Sequence, residues 1–221
     1  MNASPPHAPR QRRKETRPQE LLDAALTLFV EKGFAATRSE EVAHAAGVSK
    51  GTLYLYYPSK EELFKAVVRQ NLSNLIAEGI ELAESYQGST SDLLVELMNI
   101  WWQRFGNTPA AGIHKVVLSE VRNFPEIAEF YVRQVVEPAH RLLGQAIELG
   151  IAQGEFRAVD VADTVHSLVL PLIMLCLHRH TLGACAADWR LDPLRFIGAH
   201  VNLVLDGLIQ PARAAEPERS A

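Results

Sequence analysis

The chain has 221 residues, with 22 Lys or Arg, 26 Asp or Glu and 48% hydrophobic residues, which allows one large domain or a small one joined to a larger one and excludes global disorder. Its two cysteines, Cys176 and Cys185, make no disulfide framework, so a reducing compartment is expected. No apolar run approaches the ~20 residues a bilayer requires and the charged N-terminus lacks an apolar signal core, so the expectation is a cytoplasmic protein with no membrane partner.

The charge is uneven. Residues 1–60 hold nine Lys/Arg and six Asp/Glu, whereas residues 61–221 hold thirteen and twenty. Residues 1–15, with Pro5, Pro6 and Pro9, read as a flexible basic arm. Arg10, Arg12, Arg13 and Lys14, with Arg17 just beyond, suit a polyanion, although a solubilising tail has the same composition. A helix is expected over 17–32, where Leu21, Leu22, Ala25, Leu26, Leu28 and Phe29 step by three and four along one face. Thr16 with Gln19 offers a capping box, Pro18 suits a first turn, and Gly33 suits a left-handed stop.

Thr37-Arg38-Ser39-Glu40 reads as a capping box for a short helix over 38–46, which Gly47 ends. Ser49 caps another from Lys50 to about Tyr56, and Pro58 breaks it. Ser59 with Glu62 opens a long helix over about 60–85. Two short helices joined by Gly47-Val48-Ser49, braced by a longer helix on either side, form the helix-turn-helix layout, whose second helix enters the DNA major groove. Further helices are expected at about 91–105, 110–122, 125–150 with a kink at Pro138, 160–181 capped by Asp160, and 193–209 capped by Asp192. No alternating run marks a strand. The expected fold is therefore all-α with about nine helices. Its parts are the arm at 1–15, a DNA-binding domain at 16–75 with its helix-turn-helix at about 38–57, a helical effector-binding and dimerisation domain at 76–210, and a flexible tail at 211–221.

Residues 33–64, GFAATRSEEVAHAAGVSKGTLYLYYPSKEELF, resemble the DNA-binding domain of the TetR family of bacterial transcriptional regulators. The likeness spans about 16–75 and rests on the Thr before the first short helix, the Ala-Gly-Val-Ser turn, Gly-Thr-Leu-Tyr and the closing Lys-Glu-Glu-Leu-Phe. Tyr57 departs from it, the family more often having Phe there. The residues support the same roles. Leu53 and Tyr57 lie four apart and face the core with Phe29 and Val42, which turns Lys50, Thr52, Tyr54 and Tyr56 outward. Thr52 suits a base edge and the Tyr54 ring a thymine methyl. Gly51 lets the backbone approach closely, and Tyr56 and Lys60 suit phosphates. Thr37 and Ser49 sit at helix N-termini, where free N–H groups favour phosphate; they also serve as plain caps. For Tyr54 the competing reading is core packing.

The resemblance implies a homodimer with an effector pocket, repressing from an operator until a small ligand releases it. The last helix carries the stripe Leu194, Ile197, Val201, Val204, Leu205 and Leu208, and the helix before it is apolar nearly all round; two of each can form a four-helix interface. Two reading heads ~34–36 Å apart match a palindrome in double-stranded DNA. Trp101, Trp102, Phe105, His114, Phe130, Tyr131, Met174 and Leu177 are candidate linings of an apolar cavity for a small hydrophobic ligand, with ordinary core as the favoured competing reading of each. Cys176 and His180 share a helix face but His178 points away, so no metal site closes, and no metal or cofactor is expected. Cys185 suits a redox thiol or a small loop residue. Lacking a nucleophile elbow, phosphate loop, HExxH or CxxC, the chain is not expected to be an enzyme. An activator, a metal- or redox-sensing regulator of the same fold, and a helical interaction protein are the competing readings.

Overall fold

The computed structural model describes residues 9–181, 183 and 191–209, with residues 9–15 by backbone alone. Every regular element among them is helical, apart from an isolated antiparallel bridge between Phe156 and Ile209. Helix α1 (Pro9–Lys32) starts well before the expected residue 17. Much of the stretch read as arm is thus helical, its Arg, Gln and Lys residues having high helix propensity, which offsets the N–H missing at the now interior Pro18. No capping box forms there: Thr16 Oγ1 donates to Glu20 Oε1 at 3.3 Å and Gln19 Nε2 to Asp23 Oδ1 at 2.7 Å. The side chains of Arg10, Arg12, Arg13 and Lys14 lie outside the described residues, as do residues 1–8, Cys185 and the tail from 210 onward.

Helices α2 (Ser39–Ala45) and α3 (Lys50–Tyr56) form the short pair, and α4 (Lys60–Val68) follows. Gly33 and Gly47, at φ +89° and +65°, end α1 and α2 from the left-handed region. A π-turn at Arg69–Ser73 joins α4 to α5 (Asn74–Ser85) in one long rod. Helix α6 (Thr90–Trp101) runs through a second π-turn at Trp102–Gly106, and a 3-10 turn at Pro109–Gly112 leads into α7 (Ile113–Glu120). Helix α8 (Pro125–Tyr131) passes through a third π-turn at Val132–Val136 into α9 (Glu137–Ala152). Helices α10 (Val161–His180) and α11 (Pro193–Leu208) close the described chain, capped by Asp160 and Asp192 as expected.

The expected kink at Pro138 appears as that third π-turn. Proline has no N–H to give the carbonyl four residues back, which is that of Gln134. Ser73 Oγ, from the first π-turn, donates to this carbonyl at 3.3 Å. The two irregular turns thereby face one another, and part of a cavity wall is built from them.

One apolar core runs through the molecule. Phe29, Phe34 and Phe64 pack with centroids 5.4 to 5.5 Å apart, and Phe124 meets Phe34 edge-on at 4.8 Å, tying the N-terminal helices to the body. Most of the stripe expected at a dimer interface belongs to this core instead: Ile197, Val201, Leu205 and Leu208 are buried within the subunit and Val204 is half-buried. The helix turns its most regular apolar face inward, because a subunit must cover its own core first. What it leaves outside is Leu194 and Leu203, and α10 adds Leu170 and Met174. Helix α10 is also long and apolar enough to cross a bilayer by length and composition, but it packs on α7, α9 and α11.

Candidate nucleic-acid interface and ligand cavity

Helix α3 is anchored by one fully buried side chain, Leu53. Ser49 caps it: its Oγ accepts the Thr52 N–H at 3.1 Å and lies 2.9 Å from Thr52 Oγ1. With only Leu53 sunk, the opposite side of α3 is outside. Tyr54 is 39% exposed, so it is not core, and Leu55 is more exposed still. Lys50 is ion-paired with Glu40 and its ammonium lies 5.7 Å from the centre of the Tyr54 ring. That pairing lowers the Glu40 carboxyl below its ordinary range and raises the Lys50 ammonium above its own. Tyr56 is half-buried and packs against the core rather than turning wholly outward. A Cβ at Gly51 would meet nothing closer than Ser49 Oγ at 3.8 Å. The chain's own packing therefore does not require glycine at this position.

Two expected phosphate contacts have other tasks. Thr37 is 1% exposed, and its Oγ1 lies 2.7 Å from the Gly33 carbonyl and 3.2 Å from that of Leu28. Its hydroxyl ties the α1–α2 loop down and is turned toward the chain's own carbonyls. Lys60 Nζ donates to the carbonyls of Phe34, Ala35 and Thr37 at 2.8, 3.2 and 3.0 Å and lies 4.5 Å from the centre of the Phe34 ring. Its three donors are used in bracing the same loop, so it is no free cation. The residue at the N-cap of α2 is Arg38, which is exposed, and its backbone N–H donates to Glu41 Oε2 at 3.0 Å. Arg38 and Leu55 were missed in the sequence. The available signal was their offset: Arg38 follows the buried Thr37, and Leu55 lies across the helix from Leu53.

The body holds a cavity of about 130 Å³ between α5, α6, α9 and α10, lined in part by Leu72, Trp101, His114, Tyr131, Val135 and Leu172. The expected residues divide. Trp101, His114 and Tyr131 line it. Trp102 and Phe105 are core just outside it, and Phe130 is half-buried on α8 beneath Lys65 and Arg69, whose head groups sit 5.8 and 4.9 Å from the centre of its ring. Met174 is 63% exposed and Leu177 is half-buried away from the lining. Tyr131 Oη lies 2.7 Å from His114 Nδ1. Burial holds the His114 imidazolium down to a pKa of about 4 and pushes the Tyr131 phenol up. His140 also lines the cavity, half-buried, with its ring edge-on to His166 at 4.8 Å. Among the described residues no group of three or more His, Cys, Asp or Glu is placed to hold a metal. The buried Cys176 thiol is pushed up to about 12 by desolvation, which makes it a poor thiolate.

Helix α7 connects cavity and loop. His114 faces the cavity from its first turn. Lys115 Nζ donates to the Val30 carbonyl at 3.0 Å, and Glu120 Oε1 accepts the Ala35 N–H at 3.0 Å. Gly112 allows this docking, since a Cβ there would stand 2.4 Å from Val30 Cγ1.

The family of "Bacterial regulatory proteins, tetR family" matches residues 21–67, which enclose α2, α3 and the loop just described. The chain is 30% identical over 209 residues to the HTH-type transcriptional repressor KstR2 of Rhodococcus jostii, covering 94% of this chain and 98% of that protein. Solved structures share the fold. FadR from Bacillus subtilis in complex with stearoyl-CoA superposes with a TM-score of 0.67 at 17% identity, covering 86% of this chain and 98% of that one. A regulator from Saccharomonospora viridis in complex with choline gives 0.71 at 19%, covering 90% and 100%. An all-helical chain with an N-terminal helix-turn-helix, matched over nearly the whole length of a repressor, belongs to the TetR family of DNA-binding transcriptional regulators.

Proposed function

We propose that the protein is a homodimeric repressor that binds a palindromic operator with one α3 helix from each subunit and leaves it when a small ligand fills the cavity. The observation that carries the DNA reading is the face of α3: Lys50 and Tyr54 are exposed and Thr52 is half-buried, on a helix whose one fully buried side chain is Leu53. Thr52 and Tyr54 meet bases, and Arg38, Ser49 and Lys50 meet phosphates, Lys50 exchanging Glu40 for the DNA. Gly51 keeps the backbone free to approach. Thr37 and Lys60 act one step back, by fixing the loop that sets the angle of α2 and α3. Arg17 and the bases of α1's first turns add phosphate contacts.

The dimer reading is supported by Leu170, Met174, Leu194 and Leu203, large apolar side chains left uncovered on α10 and α11. Release works through α7, because a ligand that moves His114 moves the helix whose far end holds the α1–α2 loop. The ligands named for the structural neighbours are charged, whereas no Asp, Glu, Lys or Arg lines the cavity among the described residues; neither is carried over to this chain. A mobility-shift titration with the DNA upstream of the protein's own gene tests the reading. Y54A should abolish the shift while leaving the mass in solution that of a dimer. Binding equal to wild type would remove α3 as the reading helix.

A further inference from the structure

His114 is 5% exposed, and its Nε2 has no hydrogen-bond partner among the described residues. This atom is the exception among the buried side-chain polar atoms there, and it belongs to a ring lining the cavity. A buried polar group without a partner costs free energy that a ligand can return. The proton arrangement follows from counting donors. If Tyr131 O–H donates to Nδ1, one buried donor is unmet, the Nε2–H. If Nδ1–H donates instead, the phenol hydrogen loses its partner and Nε2 is left an unmet acceptor. The phenol is also the stronger acid and the imidazole the stronger base. Tyr131 therefore donates, and His114, a lining residue of the cavity, is left with an unpaired Nε2–H.

The rest of the lining limits what can come. With no charged side chain there to neutralise it, a carboxylate or phosphate would lose its hydration without compensation. The volume of about 130 Å³ is that of a single substituted ring; an apolar cavity of about 150 Å³ in another protein holds benzene. Trp101 and Tyr131 supply flat aromatic walls. His140, the other imidazole of the lining, is only half-buried and does not share the need for a partner.

We propose that the cavity takes a small uncharged ligand, a one-ring apolar body carrying a carbonyl or ether oxygen that accepts the His114 Nε2–H. This rests on the reading of the cavity as an effector site, and it adds the chemical class of the effector. The ligand pairs the one orphaned donor, and everything else about it is apolar contact. No aliphatic or aromatic hydrocarbon of the same size does the first, and no anion does the second cheaply.

The test is titration calorimetry on the full chain at pH 7.5 with three matched probes: acetophenone, ethylbenzene and benzoate. Acetophenone should bind about ten-fold tighter than ethylbenzene, the difference one buried hydrogen bond supplies, and benzoate more weakly than either. In H114F ethylbenzene should still bind and the advantage of acetophenone should vanish. Should H114F not fold, nitrogen-15 spectra of the wild type decide: acetophenone should shift the His114 Nε2–H resonance and ethylbenzene should not. Equal binding of acetophenone and ethylbenzene to the wild type, a preference for benzoate, or no binding of any probe would overturn the proposal. A mobility shift without ligand keeps the two readings apart. A chain that binds DNA and ignores acetophenone loses only the ligand class; one that binds acetophenone and ignores DNA loses only the regulatory reading.

Discussion

The carboxylate of Glu120 accepts the backbone N–H of Ala35 at 3.0 Å, across 85 residues of sequence. The loop that holds Ala35 is therefore fastened from two sides, by Glu120 at the end of α7 and by Lys60 at the start of α4. Removing the acceptor in E120A should break a part-buried hydrogen bond to a charged carboxylate and lower stability by about 1–3 kcal/mol. Operator affinity should fall with it, because the loop sets α2. E120Q keeps an acceptor and should lose much less. Denaturant unfolding and a mobility-shift titration of both variants check this; equal stability of E120A and wild type would dissolve the link.

Lys60 gives a second test of the same loop. K60M removes three donors from the carbonyls of Phe34, Ala35 and Thr37 but keeps the aliphatic stem. It should destabilise the free protein by roughly 1–3 kcal/mol. A pure phosphate contact would weaken DNA binding and leave the unfolding midpoint where it was.

Gly51 separates folding from binding in the opposite sense. A Cβ at this position meets no atom of the chain closer than 3.8 Å, and alanine favours a helix over glycine by up to ~1 kcal/mol. G51A should therefore be as stable as wild type or slightly more so. On DNA the methyl group stands where the backbone must approach, and operator affinity should drop about ten-fold or more (a loss near 1.4 kcal/mol). Unchanged affinity would place the DNA elsewhere.

Acid should destabilise the protein through His114. Its ring titrates at about 4 when folded and near 6.5 in a model peptide. Between these values the unfolded chain binds the proton and the folded one does not. Stability is thus complete above pH 6.5 and declines as the pH falls to 4, by about 3 kcal/mol in all. His140 and His180 are also held down by burial, so part of the slope should persist without His114. Unfolding free energies from pH 7.5 to 4 should show a shallower slope in H114F than in wild type.

The apolar side chains left uncovered on α10 and α11 should respond to charge. L203E leaves the subunit core untouched, since Leu203 points out of it, while I197D buries a carboxylate among core residues. Sedimentation should show L203E as a folded monomer with weakened operator binding, and circular dichroism should show I197D unfolded. A dimeric L203E would place the interface away from Leu203.

The sequence by itself determined the helices and the head. Three- and four-residue apolar steps, Ser49, Ser59, Asp160 and Asp192 at helix starts, and Gly33 and Gly47 at helix ends are local signals, because capping and left-handed turns are satisfied within a few residues. The start of α1 was the local miss, where proline was read as a beginning although the basic stretch before it carries the helix on.

Tertiary structure alone decided which side of each helix meets what. The stripe on α11 looked like a subunit contact and is core, because periodicity says that a face is buried and not against which partner. Lys60 looked like a cation for DNA and Thr37 like a phosphate cap; both spend their hydrogen bonds on carbonyls brought near only by folding. Ser73 reaches a carbonyl that Pro138 leaves free on another rod, and the orphaned nitrogen of His114 arises where helices distant in sequence pack around it. Such pairings join residues far apart in the chain, and no spacing within a helix encodes them.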